Sequence, residues 1–273
     1  MTRRRRPGLY AAIAPPRVWR AARADLPVRS ISAFFPAYGD AGTIASMVVL
    51  AERTLRGLTD DWEVIVVNDA SPDHAGDVLD ELAARYPRLQ VITHDRNRGY
   101  GGALRSGFAA ATKELVFYTD GDAQYDPREL TLLVAALTPE IDVVNGYKLL
   151  RGDGPVRSIV GRLYHKVVSL AFGLRIRDVD CDFRLIRRSL LDHLHLESTS
   201  GTICVELIRA LQDRGARFAE VGVNHYDRPF GSSQFFRPGR VLRTFAQLWR
   251  LWWRLRGQRT AMSVAARAIP PDG

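Results

Sequence analysis

The chain has 273 residues, 46% of them hydrophobic and 25% charged, with 39 Lys plus Arg against 30 Asp plus Glu. That is ordinary globular composition. It excludes a collagen-like, low-complexity or disulfide-scaffold protein and leaves room for one large α/β domain. The positive charge is local: Arg3 to Arg6 are consecutive, and Phe235 to Arg259 holds seven arginines and no acid, so an anionic partner is expected.

Residues 1–28 are rich in Arg, Pro and Ala without periodicity and read as a mobile basic arm. No apolar h-region follows Arg3–Arg6, so a signal peptide is not expected, and no run approaches the length of a membrane span. Cys181 and Cys204 read as free thiols.

Ser30 to Pro36 is the first predicted strand. A loop, Pro36-Ala37-Tyr38-Gly39-Asp40, leads to a helix from Thr43 to about Arg56. Glu63 to Asn68, containing the apolar run Val64-Ile65-Val66-Val67, is a second strand, ending in Asn68-Asp69-Ala70-Ser71-Pro72-Asp73, where Ser71 or Asp73 suits a helix cap. Leu89 to Thr93 is a third strand. The glycine-rich loop Asn97 to Gly102 and a helix through Ala111 come next. Leu115 to Tyr118 is a short run of β-formers leading into Thr119-Asp120-Gly121-Asp122-Ala123-Gln124. A helix from Pro127 to Leu137 precedes a fifth strand, Ile141 to Asn145. Apolar strands alternating with amphipathic helices predict an α/β fold with a mostly parallel sheet covered on both faces. Ligands bind such sheets beyond the carboxyl ends of the strands, and every polar cluster named here falls at such an end.

The second half is less regular. Arg157 to Phe172 reads as helix, Asp178 to Arg184 as a loop entering a strand, Thr202 to Arg214 as helix and Arg217 to Val223 as strand. His225 to Phe236 is a polar, aromatic loop. From Pro238 to Arg256 the chain reads as an amphipathic helix, with Phe245, Leu248, Trp249, Trp252 and Leu255 on one stripe with Val241 and Arg243, Arg250 and Arg254 opposite. Such a helix suits either the membrane headgroup layer or packing against the domain.

Asp120, Asp122 and Gln124 can present hard oxygens at a strand's end, with Gly121 turning the backbone between the acids. Mg²⁺ or Mn²⁺ suits such ligands, shared with substrate phosphates. Against that stands a plain polar turn. The glycine-rich loop does not meet the G-x-G-x-x-G fingerprint and lies at the third β-α unit, so a dinucleotide oxidoreductase is not expected. The arginines come with no nucleic-acid reading motif.

Four loops in this order, Pro36-Ala37-Tyr38, Val67 to Ser71, Asn97 to Gly107 and Asp120 to Gln124, resemble the family 2 glycosyltransferases of the GT-A fold, a Rossmann-like architecture. Within them the chain looks closest to dolichyl- or polyprenyl-phosphate sugar synthases, with supporting matches at Asp182-Phe183-Arg184 and Arg228 to Gln234. The resemblance covers about residues 30–235. It implies a transferase domain over 29–235, flanked by the arm and by a basic, aromatic tail at 236–273. By this resemblance Pro36, Tyr38, Asp40, Val67 and Asp69 hold the nucleotide of a sugar donor, together with Asp120, and Asp69 accepts a hydrogen bond from the base. Asp120, Asp122 and Gln124 bind the divalent ion. Lys148, Arg157, Arg228 and Gln234 fall near basic phosphate-binding positions, and Arg184 joins them because a guanidinium fork matches phosphate oxygens.

The sequence departs from the family at Asp40, where glutamate is usual, at Asn68, where a second aspartate is frequent, and at Gln234, where the lipid-phosphate synthases tend to have lysine. The implied reaction is metal-dependent, inverting transfer of a sugar from a GDP-mannose or UDP-glucose type donor to a polyprenyl phosphate, at the cytoplasmic face of a membrane. Asp122, Asp182 and Arg228 are the expected catalytic residues. A hydroxyl acceptor would need a general base, for which Asp182 and Glu206 are available. A non-catalytic nucleotide-sugar-binding scaffold is the remaining alternative.

Overall fold

The computed structural model describes residue 28 and residues 30–149, 165–230 and 243–256. In chain order its elements are β1 (Ser30–Ala37), α1 (Ile44–Leu58), β2 (Asp61–Asn68), α2 (Ala75–Arg85), β3 (Leu89–Thr93), α3 (Tyr100–Ala110) and β4 (Leu115–Thr119). A 3-10 turn at Pro127–Glu129 runs into α4 (Leu130–Ala136). Then come β5 (Val143–Lys148), α5 (residues 165–172), β6 (Phe183–Arg187), α6 (Thr202–Asp213), β7 (Phe218–Val223) and α7 (residues 243–256).

The strands form one seven-stranded sheet in the order β3-β2-β1-β4-β6-β5-β7. β3, β2, β1 and β4 are mutually parallel. The expected fifth strand does not extend that run. β6 inserts between β4 and β5, antiparallel to both, and β7 closes the edge parallel to β5. Inside a sheet covered on both faces, β6 buries Phe183, Leu185 and Ile186 together with one charged residue, Arg184, and ends on the half-buried Arg187.

Period-2 alternation sorts the strands into two cores. Ile31, Ala33 and Phe35 of β1 and Val64 and Val66 of β2 pack with α1, α2 and α4 on one face. Phe34, Ile65 and Val67 point the other way, against Leu104 of α3 and Ile203 and Leu207 of α6. A third cluster joins α5, α6 and Leu248 and Leu251 of α7. The chain leaves β1 toward β2 on one side and reaches β4 on the other. That makes the β1/β4 junction the topological switch point, where open α/β sheets form their binding crevice.

Candidate active site

Three loops meet at this switch point. After β1, the Asp40 carboxylate accepts the Tyr38 N–H (3.0 Å), and its backbone carbonyl accepts the N–H groups of Thr43 and Ile44 that open α1. Ser71 and Asp73 cross-brace this loop: Gly39 donates to Ser71 Oγ (2.7 Å) and Ala41 to Asp73 Oδ2 (3.0 Å). Asp73 also accepts the Ala75 N–H at the start of α2, tying the loop to the helix, while His74 rather than Ser71 or Asp73 holds the N-cap position. The β4 loop is stitched to β1 by Gly121 N–H to the Pro36 carbonyl (3.2 Å) and by Thr43 Oγ1 to the Gly121 carbonyl (2.8 Å).

Gly121 lies in the expected turn and also meets a steric demand. A β-carbon there would stand 2.9 Å from the Pro36 carbonyl oxygen, so glycine permits the close approach. The left-handed residue of the loop is Ala123, at φ 59°.

This stitching gathers the acids. Asp120 Oδ1 accepts the Tyr100 hydroxyl (2.7 Å), a contact that ties the metal-type loop to the first residue of α3. Asp122 is buried and accepts the Gln124 N–H (3.1 Å). Asp182, entering β6, accepts from Arg184 (2.7 Å) and from the Cys204 thiol (3.0 Å). Burial raises the carboxyl of Asp120 well above the usual range, and the neighbouring charges of Asp182 and Asp122 add to it. Burial likewise raises Asp122 and Asp40. Arg228 answers them, with one guanidinium nitrogen 2.6 Å from Asp40 and another 3.7 Å from Asp122.

Crowded, upshifted carboxylates favour a cation of higher charge. Asp120 and Asp122 fit Mg²⁺ or Mn²⁺ by their hard oxygens. Among the described residues no group of three or more His, Cys, Asp or Glu side chains is placed to hold a metal ion by itself. Gln124 ties two loops together. Its amide donates to the Tyr226 carbonyl (3.1 Å) and its backbone carbonyl accepts the Tyr226 N–H (2.8 Å), so it couples the β4 loop to the loop after β7.

Arg184 corrects an expectation. It is 0% exposed, and its guanidinium bonds Asn145 Oδ1 (2.6 Å), the Tyr118 hydroxyl, Asp182 and the Val179 carbonyl. A cation so enclosed supports the β4–β6–β5 interior and cannot meet a phosphate. Val67 is also fully buried, so its side chain has no surface to offer a nucleotide. Glu206 is no general base at the rim. It accepts the Glu197 and Ser198 N–H groups and pairs with Arg254.

Pro36 lies in β1 with its carbonyl engaged, Tyr38 stands exposed on the rim, and Asp69 is buried with its N–H on the Ala37 carbonyl. Lys148 closes β5 and donates to the Asp180 carbonyl (2.9 Å). Arg157 and Gln234 lie outside the described residues.

Tyr100, Ser71 and Cys204 were not singled out as functional from sequence. Tyr100 carried a signal as the one aromatic inside the glycine-rich loop, and Ser71 as a polar residue in the loop after β2.

A profile of the family described as Glycosyl transferase family 2 matches residues 32–194. The chain belongs to glycosyl transferase family 2. Solved structures agree on the fold of this family 2 transferase. Glucosyl-3-phosphoglycerate synthase from Mycobacterium tuberculosis, in complex with Mn²⁺, UDP and glucosyl-3-phosphoglycerate, is 24% identical at a TM-score of 0.56, over 78% of this chain and 75% of that one. The same enzyme with phosphoglyceric acid is 25% identical at a TM-score of 0.56 over the same shares. Its complex with Mg²⁺ and UDP is 22% identical at 0.56, over 78% and 74%. The family 2 transferase therefore has a GT-A, Rossmann-like α/β fold and is a glycosyltransferase.

The last helix packs on the transferase domain. Leu248 and Leu251 are buried, Trp252 and Leu255 lean on the same cluster, and Trp252 donates to the Ala171 carbonyl (3.2 Å). Arg254, expected opposite the apolar stripe, turns inward to Glu197 and Glu206. Phe245, Trp249 and Trp253 are exposed, with Trp249 at 62%. Among the described residues no helix is long and apolar enough to cross a membrane.

Proposed function

We propose that this transferase moves a sugar from a nucleotide-diphosphate donor to a polyprenyl-phosphate acceptor at the cytoplasmic face of a membrane. The observation that carries the donor half is the convergence of Asp40 and Asp122 on Arg228, with Asp120 beside Asp122, at the β1/β4 switch point. Asp120 and Asp122 would hold Mg²⁺ or Mn²⁺, which supplies charge stabilisation to the departing diphosphate. The structural neighbours crystallised with UDP and Mn²⁺ or Mg²⁺ support this assignment.

In the reaction, an acceptor phosphate oxygen attacks C1 of the sugar. The new C–O bond forms as the bond to the nucleoside diphosphate breaks, and the diphosphate keeps the electron pair. A phosphate acceptor is already anionic and needs cations rather than a base. Arg228, held by exchangeable ion pairs on the rim, and Lys148, at the end of β5, supply them. Tyr38 and Asp40 belong to the nucleotide side. The charge of Asp182 adds to the effect of burial in raising the Asp120 carboxyl.

Support for a lipid-linked acceptor comes from the apolar surface beside α7. Phe245, Trp249 and Trp253 stand out from a helix whose residues 243–256 carry arginines and no acid, and Val167 and Leu170 of neighbouring α5 are exposed as well. A second reading keeps the donor site and uses a hydroxyl acceptor. The phosphoglycerate-bound neighbours favour it. Supplying labelled donors with polyprenyl phosphate or with 3-phosphoglycerate separates the two. Label entering the organic phase only with the lipid supports our reading, and label in a water-soluble glycoside overturns it.

A further inference from the structure

Behind the rim lies a hydrogen-bonded chain that sequence reasoning passed over. His94 follows β3 directly, and its N–H extends the ladder to the Asn68 carbonyl (2.9 Å), which places the ring beside Asp69. His94 Nδ1 is 2.6 Å from Asp69 Oδ1, and the Arg98 N–H donates to the same oxygen (2.8 Å). On the far side of the ring, Nε2 is 2.8 Å from Ser106 Oγ of α3. The His94 and Asp69 side chains are 2% and 4% exposed.

A carboxylate only accepts, so Nδ1 carries the proton that faces Asp69. A buried carboxylate needs such donors, and removing one leaves the group unsatisfied and free to rotate. Two donors converging on one oxygen fix the plane of the Asp69 carboxyl. Ser106 fixes the ring in turn, as outer partners orient histidine ligands elsewhere.

We infer that His94 is a positioning residue for donor binding: its Nδ1–H and the Arg98 N–H aim the Asp69 carboxylate at the nucleotide base. This rests on the proposed reading of Asp69 as the residue that meets the base. Asparagine can place an amide N–H where Nδ1 stands, whereas glutamine mimics Nε2, so the two substitutions differ at the contact that matters.

The test is calorimetric titration of the full chain with UDP and with GDP in Mn²⁺, alongside unliganded melting temperatures. Asp69→Asn and His94→Gln are each expected to weaken the better-binding nucleotide by about tenfold. His94→Asn should stay within about threefold of wild type. In turnover, the His94→Gln loss should fall on donor KM with kcat held, a split that a merely structural histidine would not produce. Asp69→Asn weak with His94→Gln at wild-type affinity, or His94→Asn no better than His94→Gln, overturns the positioning role and leaves Asp69 standing. Asp69→Asn at wild-type affinity removes both. If His94→Gln does not fold, Ser106→Ala decides: a loss of about threefold or more supports the inference, and unchanged affinity overturns it.

Discussion

Two arginine-carboxylate centres lie at the active end of the sheet, and they are built on opposite terms. Around Arg184, inside the sheet, a cation bonds Asp182, Asn145, Tyr118 and a backbone carbonyl with no exposure to solvent. Around Arg228, on the rim, a cation touches Asp40 and Asp122 across distances of 2.6 and 3.7 Å while partly exposed. The inner centre has its charges matched by fixed partners, so any change leaves a buried charge uncompensated. The outer centre holds more acid than Arg228 can neutralise, and its ion pairs can be exchanged for a ligand's. Fixed pairing suits a support. Incomplete pairing suits a site.

The sharpest way to break that contrast is at the acids. Asp122→Asn should reduce transfer by about 10²–10³-fold, because charge stabilisation of the leaving group is lost, while the unliganded melting temperature holds or rises. A steady-state assay beside a thermal melt reads both. Loss of folding instead would place Asp122 with the inner centre.

Arg184→Met should destabilise the fold by about 3–5 kcal/mol, the cost of breaking a buried pair from one side. Urea denaturation measures it. Arg228→Met should leave stability within about 1 kcal/mol and lower turnover when polyprenyl phosphate is supplied as the acceptor. Equal destabilisation by both would erase the distinction between the centres.

The pH dependence sharpens it further. Asp40, Asp120 and Asp122 have folded-state values raised above those of the unfolded chain. Their contribution to stability is then fully present below the ordinary carboxylate value, about 3.9, and is lost as pH rises through the raised folded values. In chelator, the protein should melt earlier at pH 8 than at pH 5.5. Mn²⁺ should abolish the difference by raising the pH 8 melt, since the ion takes the deprotonated carboxylates. A melt that ignores both pH and metal would contradict the crowding of the acids.

The smallest effect on stability belongs to α7. Trp249→Ala with Trp253→Ala should change it by no more than about 0.5 kcal/mol, because both side chains are exposed. The same pair should lower cosedimentation with anionic phosphatidylglycerol vesicles. Unchanged sedimentation would remove the support that α7 lends to a membrane acceptor.

Much of the parallel half was legible in the chain. β3 matches residue for residue at Leu89–Thr93, and β1, β2 and α3 differ only at their ends, because apolar runs and glycine breaks are local signals. The meeting of Pro36, Asp40, Asp69 and Asp120 at one rim followed from parallel β-α order. Local patterning could not reveal that β6 runs antiparallel between β4 and β5. Pairing partners far apart in sequence decide that, and with it the fate of Arg184, which reads like any basic residue after an acidic loop.

Sequence alone determined the α/β order, the loops that carry the acids and the family to which they belong, since each depends on residues near one another in the chain. The tertiary structure decided which charges are spent. It turned Arg184, Glu206 and Arg254 inward, left Arg228 and the Asp120–Asp122 pair at the rim, and set His94 beside Asp69. Burial and bond partners, not residue type, separate a support from a site. Both arise from contacts between segments that only folding brings together.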